Sequence, residues 1–447
     1  MREEHAASLT GAGSQTDRQA ASVGVIGLGY VGLPFALAFV RSGIRVTGIE
    51  VDGRKLQMLR GAKSYIQDIS NEELEAAIFS GGLTVSDDYS LLATMEAVVL
   101  CVPTPLTEDH APDLSYVSDT CRSLRPFLRE GQLVVLESTT YPGTTKEIVR
   151  PLLEQSGLQA GVQFHLAYSP ERIDPGNQSY TVEEVPKIVS GLTASCLNRV
   201  ADLYGRVFRQ VVPVSSTDSA EAAKLLENSF RLINISFMNE FAMLCDQLGV
   251  NVWEVIEAAD TKPYGFHAFY PGPGIGGHCI PVDPLYLQWK ARQSGTDSRF
   301  IELSKDMNDT MPDYIAGRIE RLLQPGKKLA GASILLCGVT YKKDVADMRE
   351  SSALPLMRML ILAGASVQYY DPYVPSVRLE DAGILHGVDL TDEVLAGADC
   401  VVIHTNHSSL PIERIVMKAA LIYDTRNATR GLRGSGRLER FGDGTTG

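Results

Sequence analysis

From Ser22 onward, short apolar runs alternate with amphipathic stretches: SVGVIGLG, IRVTGIE, EAVVLCV, LVVLEST and FHLAYSP are separated by segments of helical character. Apolar runs of this length between helices predict βαβ units and a parallel sheet covered on both faces. The pattern therefore predicts a doubly wound α/β domain over residues 22–214. At Ser215 the period changes. The stretch SSTDSAEAAKLLENSFRLINISFMNEFAMLCDQLGV opens on helix-capping residues and runs without glycine or proline as far as Gly249, which predicts one long helix. Along it Leu226, Phe230, Ile233, Phe237, Phe241 and Leu244 recur at spacings of three or four, an apolar stripe that calls for burial between domains or between subunits. Further helices are expected in NVWEVIEAAD, DPLYLQWKARQ and MPDYIAGRIERLLQ, completing a helical domain over residues 215–328. The alternation then resumes in SILLCGVTY, SVQYYDP, DCVVIHT and ALIYDTR, predicting a second α/β domain over residues 329–447. The expected fold is α/β: two Rossmann-like, doubly wound parallel-sheet domains joined by a long central helix and its helical domain. Ligands of such sheets lie in crevices at the carboxyl ends of the strands.

Composition narrows the function classes. The 447 residues are 44% hydrophobic and 21% charged, as in soluble globular proteins, and no apolar run reaches the roughly 18 to 20 residues of a membrane span. Residues 1–21 mix charges with small polar residues and lack the apolar stretch of a signal peptide, so a disordered tail and a cytoplasmic location are expected. A net charge of −13 without a long Lys/Arg block argues against nucleic acid or an anionic membrane as partner. The seven cysteines are scattered and contain no C-x-x-C pair, which argues against a disulfide framework or a zinc site. Six of them read as small buried hydrophobes. Cys279, set among glycines and prolines, does not.

VGVIGLGYVGLP places Gly27, Gly29 and Gly32 in G-x-G-x-x-G spacing, after an apolar strand and before a helix. The first glycine permits the tight turn, the second lets a pyrophosphate approach the backbone, and the third allows close helix–strand packing. The following helix presents its N-terminus to the phosphates. About twenty residues on, Glu50 ends the second predicted strand, placed to accept hydrogen bonds from the adenosine ribose. A carboxylate there repels a 2′-phosphate, which favours NAD over NADP; Arg54 and Lys55 close by act in the opposite direction.

The segment PGPGIGGHCIPVDP, residues 271–284, leaves three readings for Cys279. A buried core thiol fits poorly, since glycines contribute little packing. A metal ligand needs companions, and only His278 and Asp283 are near in sequence. A nucleophile needs an electrophile, and beside an NAD site the natural one is an aldehyde made by a first hydride transfer. A thiol adding to an aldehyde gives a thiohemiacetal, whose oxidation gives a thioester that water hydrolyses.

GLGYVGLP, CVPTPLT, LESTTYPGTT, YSPERIDPGN, AAKLLEN, TKPYGFHAFYPGPGIGGHCIPVDP and YKKDVADMRES together resemble the UDP-glucose/GDP-mannose dehydrogenase family. Nearest is the branch that oxidises UDP-N-acetylglucosamine, or a close N-acetylhexosamine relative, at C6. The resemblance runs in order through nearly everything after residue 21. It implies a four-electron, NAD-dependent oxidoreductase whose substrate is a UDP-sugar. By matching motif it makes Cys279 the nucleophile, assisted by Asp283. Lys224 and Asn228, on one face of the long helix, become the oxyanion donors; the plain alternative for Lys224 is an ion pair with Glu221. Glu171 becomes the general base of thioester hydrolysis, with Thr139 holding a water; otherwise it is a solvated strand end. Tyr30, Val31, Lys55, Pro103, Thr104, Thr139 and Arg349 join the glycines and Glu50 around the cofactor. Glu171, Arg172, Lys224, Asn228, Phe269, Tyr270, Gly276 and Lys342 are expected to bind substrate. No metal is implied. A homodimer or larger homo-oligomer through the central helix is expected. Two positions depart from the family pattern: Ile173, where close relatives carry an acidic residue, and Glu50, where many carry Asp. Rival readings are a UDP-glucose 6-dehydrogenase, a UDP-N-acetylmannosamine or UDP-N-acetylgalactosamine enzyme, a two-electron hydroxyacid dehydrogenase, and a catalytically silent NAD-binding scaffold.

Overall fold

The computed structural model describes residues 21–66, 68–107, 109–173 and 180–445, so the expected tail, apart from Ala21, lies outside the described residues. Ala21 is itself buried and its carbonyl accepts from Arg45 N. The first sheet contains β1 (Ser22–Ile26), β2 (Arg45–Ile49), β3 (Leu83–Ser86), β4 (Ala97–Leu100), β5 (Leu133–Leu136), β6 (His165–Tyr168), β7 (Lys187–Gly191) and β8 (Val211–Pro213). Their order is β3-β2-β1-β4-β5-β6-β7-β8, parallel except for the antiparallel pair β6/β7. The five apolar runs become β1, β2, β4, β5 and β6. Strands β3 and β7 are interrupted by polar residues, a lysine heads β7, and β8 is only three residues long. Helices α1 (Gly32–Arg41), α2 (Gly53–Arg60), α3 (Asn71–Phe79), α4 (Ser115–Leu124), α5 (Arg150–Glu154) and α6 (Ala194–Tyr204) connect them. Alternate residues feed opposite cores: Val23 and Val25 pack with Phe35, Phe39 and Tyr204 on one face, while Ile26 packs with Leu100, Val117 and Leu153 on the other.

The long helix is α7 (Thr217–Leu248). Ser216 caps it by accepting from Ser219 N at 3.1 Å, and Gly249 ends it at φ +69°, a left-handed conformation that favours glycine. One face is buried, including Lys224, Asn228, Leu232 and Asn239. On the opposite side Leu226, Phe230, Phe237 and Leu244 are exposed, with Ile233 and Phe241 half-buried. Most of the apolar stripe is therefore not packed within the chain. Next come α8 (Val252–Asp260), α9 (Asp283–Gln293) and α10 (Arg299–Leu322). The helix expected from Met311 starts earlier, at Arg299, and continues through Pro312. An internal proline costs about 3 kcal/mol or more; Met311, Ile315 and Ile319, fully buried in the core under the second sheet, offset it.

The remainder holds β9 (Ser333–Cys337), α11 (Ala353–Leu362), β10 (Ser366–Tyr370), the hairpin β11 (Ser376–Leu379) and β12 (Gly383–His386), α12 (Asp392–Gly397), β13 (Cys400–Ile403), α13 (Ile412–Lys418), β14 (Leu421–Asp424) and β15 (Arg437–Arg440). Its five-stranded sheet has the order β10-β9-β13-β14-β15 and is parallel throughout. The C-terminal segment fastens this sheet to the helices. Phe441 O accepts from Trp253 Nε1 at 2.8 Å, Gly442 O from Val252 N at 2.7 Å and Thr445 O from Arg318 Nη2 at 2.8 Å. No helix among the described residues is long and apolar enough to cross a membrane.

Candidate active site

The glycine turn lies between β1 and α1. Gly27 sits at φ +87°, and a Cβ on Gly32 would come within 1.8 Å of Gly27 O, whereas one on Gly29 would touch nothing. Gly29 thus leaves the backbone bare where a pyrophosphate approaches, so the turn fits the dinucleotide. Val31 is the N-cap of α1. Glu50 is buried, its Oε2 accepting from Leu28 N at 3.2 Å and its Oε1 from Asp52 N at 3.0 Å. Each oxygen keeps a lone pair for a ribose hydroxyl. Lys55, on α2, lies over the Tyr65 ring, whose hydroxyl donates to Leu28 O. A cleft of about 550 Å3 opens beside this turn, lined by Tyr30, Tyr65, Ile66, Tyr341, Val345 and Asp347 among others. Arg349 contacts two of these residues: its guanidinium lies 5.6 Å from the Tyr30 ring centroid and pairs with Asp347, while its carbonyl accepts from Gly277 N at 3.0 Å. Pro103 is exposed just beyond β4. Thr104 Oγ1 donates to Thr139 O at 2.8 Å, and Tyr286 of α9 donates to Thr104 O.

The cysteine loop is held from both sides. Asn239 Oδ1 on α7 accepts from Gly272 N at 2.8 Å, and the Asn308 amide of α10 bonds both backbone groups of Ile275. On the other side the third domain presses close. A Cβ on Gly276 would come within 2.4 Å of Glu350 O, and Gly277, at φ +85°, lies against the Tyr341 ring. The glycines are therefore required by backbone packing against the second α/β unit. Lys342 belongs to the same turn, its carbonyl accepting from Thr340 Oγ1 at 2.8 Å.

Six cysteines are buried and Cys279 alone is partly exposed. It precedes α9, and its carbonyl accepts from Asp283 N at 2.8 Å. Asp283 Oδ2 in turn accepts from Asn228 Nδ2 at 2.5 Å. Burial and the Asp283 charge push the Cys279 thiol up to about 12, with Lys224 opposing them. Proximity to a helix N-terminus favours thiolate, but burial wins and the thiol is protonated at neutral pH. Burial also raises Asp283 to about 6, against Lys224 and the Asn228 hydrogen bond. His278 falls to about 4, through burial and then the Arg349 charge, so its imidazole is neutral. Glu171 follows β6; its Oε1 accepts from Ile173 N, while its buried Oε2 has no hydrogen-bond partner among the described residues. Its charge also reaches Cys279. Thus Cys279, Asp283, Lys224, Asn228 and Glu171 converge.

Arg172, Phe269 and Tyr270, also expected to bind substrate, have protein partners of their own. Arg172 pairs with Glu227 of α7 at 2.8 Å and donates to Pro186 O at 2.6 Å, tying the Glu171 loop to the long helix. Phe269 packs against Phe230, and Tyr270 stacks on Trp253. Arg426 is a residue that its local sequence does not mark. Its Nε donates to His404 O at 3.0 Å, its Nη1 faces Gly272, and burial lowers it only to about 10, leaving a cation beside the loop. Among the described residues, no cluster of three His, Cys, Asp or Glu side chains could hold a metal ion.

Lys224 makes no ion pair with Glu221. Glu221 instead accepts from Gly143 N at 2.7 Å and from Thr145 N and Oγ1 at 2.9 and 2.7 Å, joining α7 to the turn beyond β5. Burial raises its carboxyl from 4.5 to about 7 despite these bonds. A raised folded pKa gives stability that is complete below the unfolded value and is lost as pH rises through the folded one. Relative to Glu221→Gln, the wild type is expected to lose on the order of 3 kcal/mol of stability between pH 4 and pH 8. Thermal unfolding of both proteins across that range checks this; parallel pH profiles would contradict it.

Comparison with known proteins identifies the family. Three family models match in sequence order: the UDP-glucose/GDP-mannose dehydrogenase NAD-binding domain over residues 21–208, the central domain over 218–310 and the UDP-binding domain over 335–431. A UDP-N-acetyl-D-mannosamine dehydrogenase of Pyrococcus horikoshii is 35% identical, covering 91% of this chain and 95% of the relative. A UDP-N-acetyl-D-glucosamine 6-dehydrogenase of Pseudomonas aeruginosa is 34% identical, covering 86% and 90%. The solved structure of the UDP-N-acetyl-D-mannosamine dehydrogenase from P. horikoshii superposes with a TM-score of 0.86 at 33% identity, covering 95% of this chain and 99% of that one. With a glycine turn fit for a dinucleotide after β1 and a partly exposed thiol in the loop before α9, the chain belongs to the UDP-glucose/GDP-mannose dehydrogenase family and is an NAD-dependent UDP-sugar dehydrogenase.

Proposed function

We propose that this dehydrogenase oxidises the C6 hydroxymethyl group of a UDP-N-acetylhexosamine, with UDP-N-acetylglucosamine the first candidate, to the uronic acid through a thiohemiacetal and a thioester on Cys279. The observation that carries this reading is the convergence of Cys279, Asp283, Lys224, Asn228 and Glu171. Bound NAD supplies the hydride acceptor, twice per sugar. Lys224 and Asn228 offer N–H donors to the oxygen that gains charge as the thiol adds. Because the thiol is held neutral, its proton must leave as sulfur attacks, and Asp283 is the nearby acceptor. Glu171, whose Oε2 has no hydrogen-bond partner among the described residues, takes a proton from water. Hydroxide adds to the thioester carbonyl, the C–S bond breaks, and the thiol is restored. Thr139 is assigned to hold that water. Residues 22–214 would bind NAD and residues 329–447 the UDP, with Lys342 and the Arg426 cation beside the diphosphate.

UDP-N-acetyl-D-mannosamine is the second candidate, because that is the sugar named for the relative at 35% identity. Steady-state kcat/KM with UDP-N-acetylglucosamine, UDP-N-acetylmannosamine, UDP-N-acetylgalactosamine and UDP-glucose tests the choice. An N-acetylated sugar is expected to lead; a preference for UDP-glucose would overturn the acetamido assignment.

The exposed stripe of Leu226, Phe230, Phe237 and Leu244 supports a homodimer formed along α7. A contiguous apolar surface of this kind favours burial in a partner. Phe237→Arg is expected to convert the dimer to monomer in sedimentation velocity; an unchanged sedimentation coefficient would place the interface elsewhere.

A further inference from the structure

Behind Glu171 lies a buried ion pair that the reaction does not use. Lys187 heads β7 and Glu137 follows β5, with side chains 5% and 0% exposed and Nζ to Oε2 at 2.6 Å. Tyr204 donates to the other oxygen of Glu137 at 2.5 Å, and the lysine ammonium lies 5.0 Å from the Phe35 ring centroid. A buried pair is a weak source of stability, since well-packed apolar residues often serve as well. One further bond connects it to the site: Lys187 Nζ donates to Pro170 O at 3.1 Å. Pro170 is buried and immediately precedes Glu171, and a buried carbonyl needs a donor. On the far side of Glu171, Arg172 donates to Pro186 O, the residue before Lys187. The base is thus fastened to the head of β7 on both sides. Glu171 also adds to the burial that raises Glu137 to about 7, so the two carboxylates are within electrostatic reach.

We propose that Lys187 and Glu137 are positioning residues for Glu171: Lys187 fixes the Pro170 carbonyl, and so the direction of the carboxylate, while Glu137 keeps the ammonium aimed. The inference rests on the thioester reading above. In the step concerned, Glu171 takes a proton from water, hydroxide adds to the acyl carbon, and sulfur departs and is reprotonated, with no change of oxidation state. Loss of the pair therefore slows hydrolysis and leaves both hydride transfers intact.

The test compares the full-length wild type with Glu171→Gln, with the double variant Glu137→Gln/Lys187→Met, which leaves no lone buried charge, and with Glu137→Gln, which keeps the shape. Each is mixed rapidly with NAD and the best nucleotide sugar, and NADH and the intact protein mass are followed. The double variant is expected to release two NADH per site in a burst and then turn over roughly 10- to 100-fold more slowly, the range for partners that orient a reacting group. Acyl-Cys279 should accumulate while KM for both substrates stays within about threefold, and Glu137→Gln should do the same to a lesser extent. Wild-type turnover, or a slow variant without the acyl adduct, overturns the proposal. If Glu171→Gln itself accumulates no adduct, the thioester reading falls; if it does and the pair variants do not, only this inference falls.

Discussion

Replacing Cys279 by Ser is expected to lower acid formation roughly 10^4- to 10^6-fold, the scale on which enzymes lose activity when a covalent nucleophile or its partners are removed. The size follows from the site. Burial and Asp283 hold the thiol at about 12, so the reaction depends on sulfur being able to lose its proton as it attacks. A hydroxyl in the same surroundings is a far weaker acid and nucleophile. The first oxidation does not require a covalent bond, so this variant is expected to make aldehyde and to stop there. Trapping the aldehyde with a hydrazine while following NADH checks this; acid formation within tenfold of the wild type would remove Cys279 from the mechanism.

Lys224→Met is expected to lower kcat roughly 10^2- to 10^3-fold, the cost of deleting one oxyanion donor, with a small change in KM for the sugar. Lys224 is buried and free of the Glu221 pair. Its charge instead reaches Cys279 and Asp283, both of which it lowers. The variant should therefore also shift the acid limb of the pH profile upward, since Asp283 loses the cation that opposes its burial. A surface ion-pair lysine would move neither kcat nor the limb, so steady-state kinetics across pH 5 to 8 separates the two roles.

Much of this was legible in the chain because local chemistry and tertiary packing agree. Ser216 and Gly249 bound α7 in the structure as their types imply, and Gly27, Gly29 and Gly32 meet three different steric demands at the spacing that announces them. Lys224 and Asn228 share the buried face of α7 because a helix brings positions four apart to one side. What stayed hidden depends on distant partners. The pattern starts a helix at Met311, yet α10 begins at Arg299 and runs through Pro312 because buried Met311 and Ile315 decide the matter. Glu221 reads as a partner for Lys224, yet it accepts three hydrogen bonds from residues far away in sequence. Arg426 and the Lys187–Glu137 pair occur in strands and turns whose local pattern is ordinary. The local sequence of Arg172 likewise says nothing of Glu227 and Pro186, the distant partners that hold it.

The account's central claim is a four-electron oxidation carried by one cysteine, and the most direct measurement is the number of NADH formed per sugar consumed. Limiting UDP-N-acetylglucosamine, with UDP-N-acetylmannosamine in parallel, is oxidised to completion with excess NAD, and absorbance gives the yield. Two NADH per sugar, with the uronic acid as sole product, is the expected result. One NADH per sugar would contradict the account, because the reaction would end at the aldehyde and Cys279 would carry no acyl group.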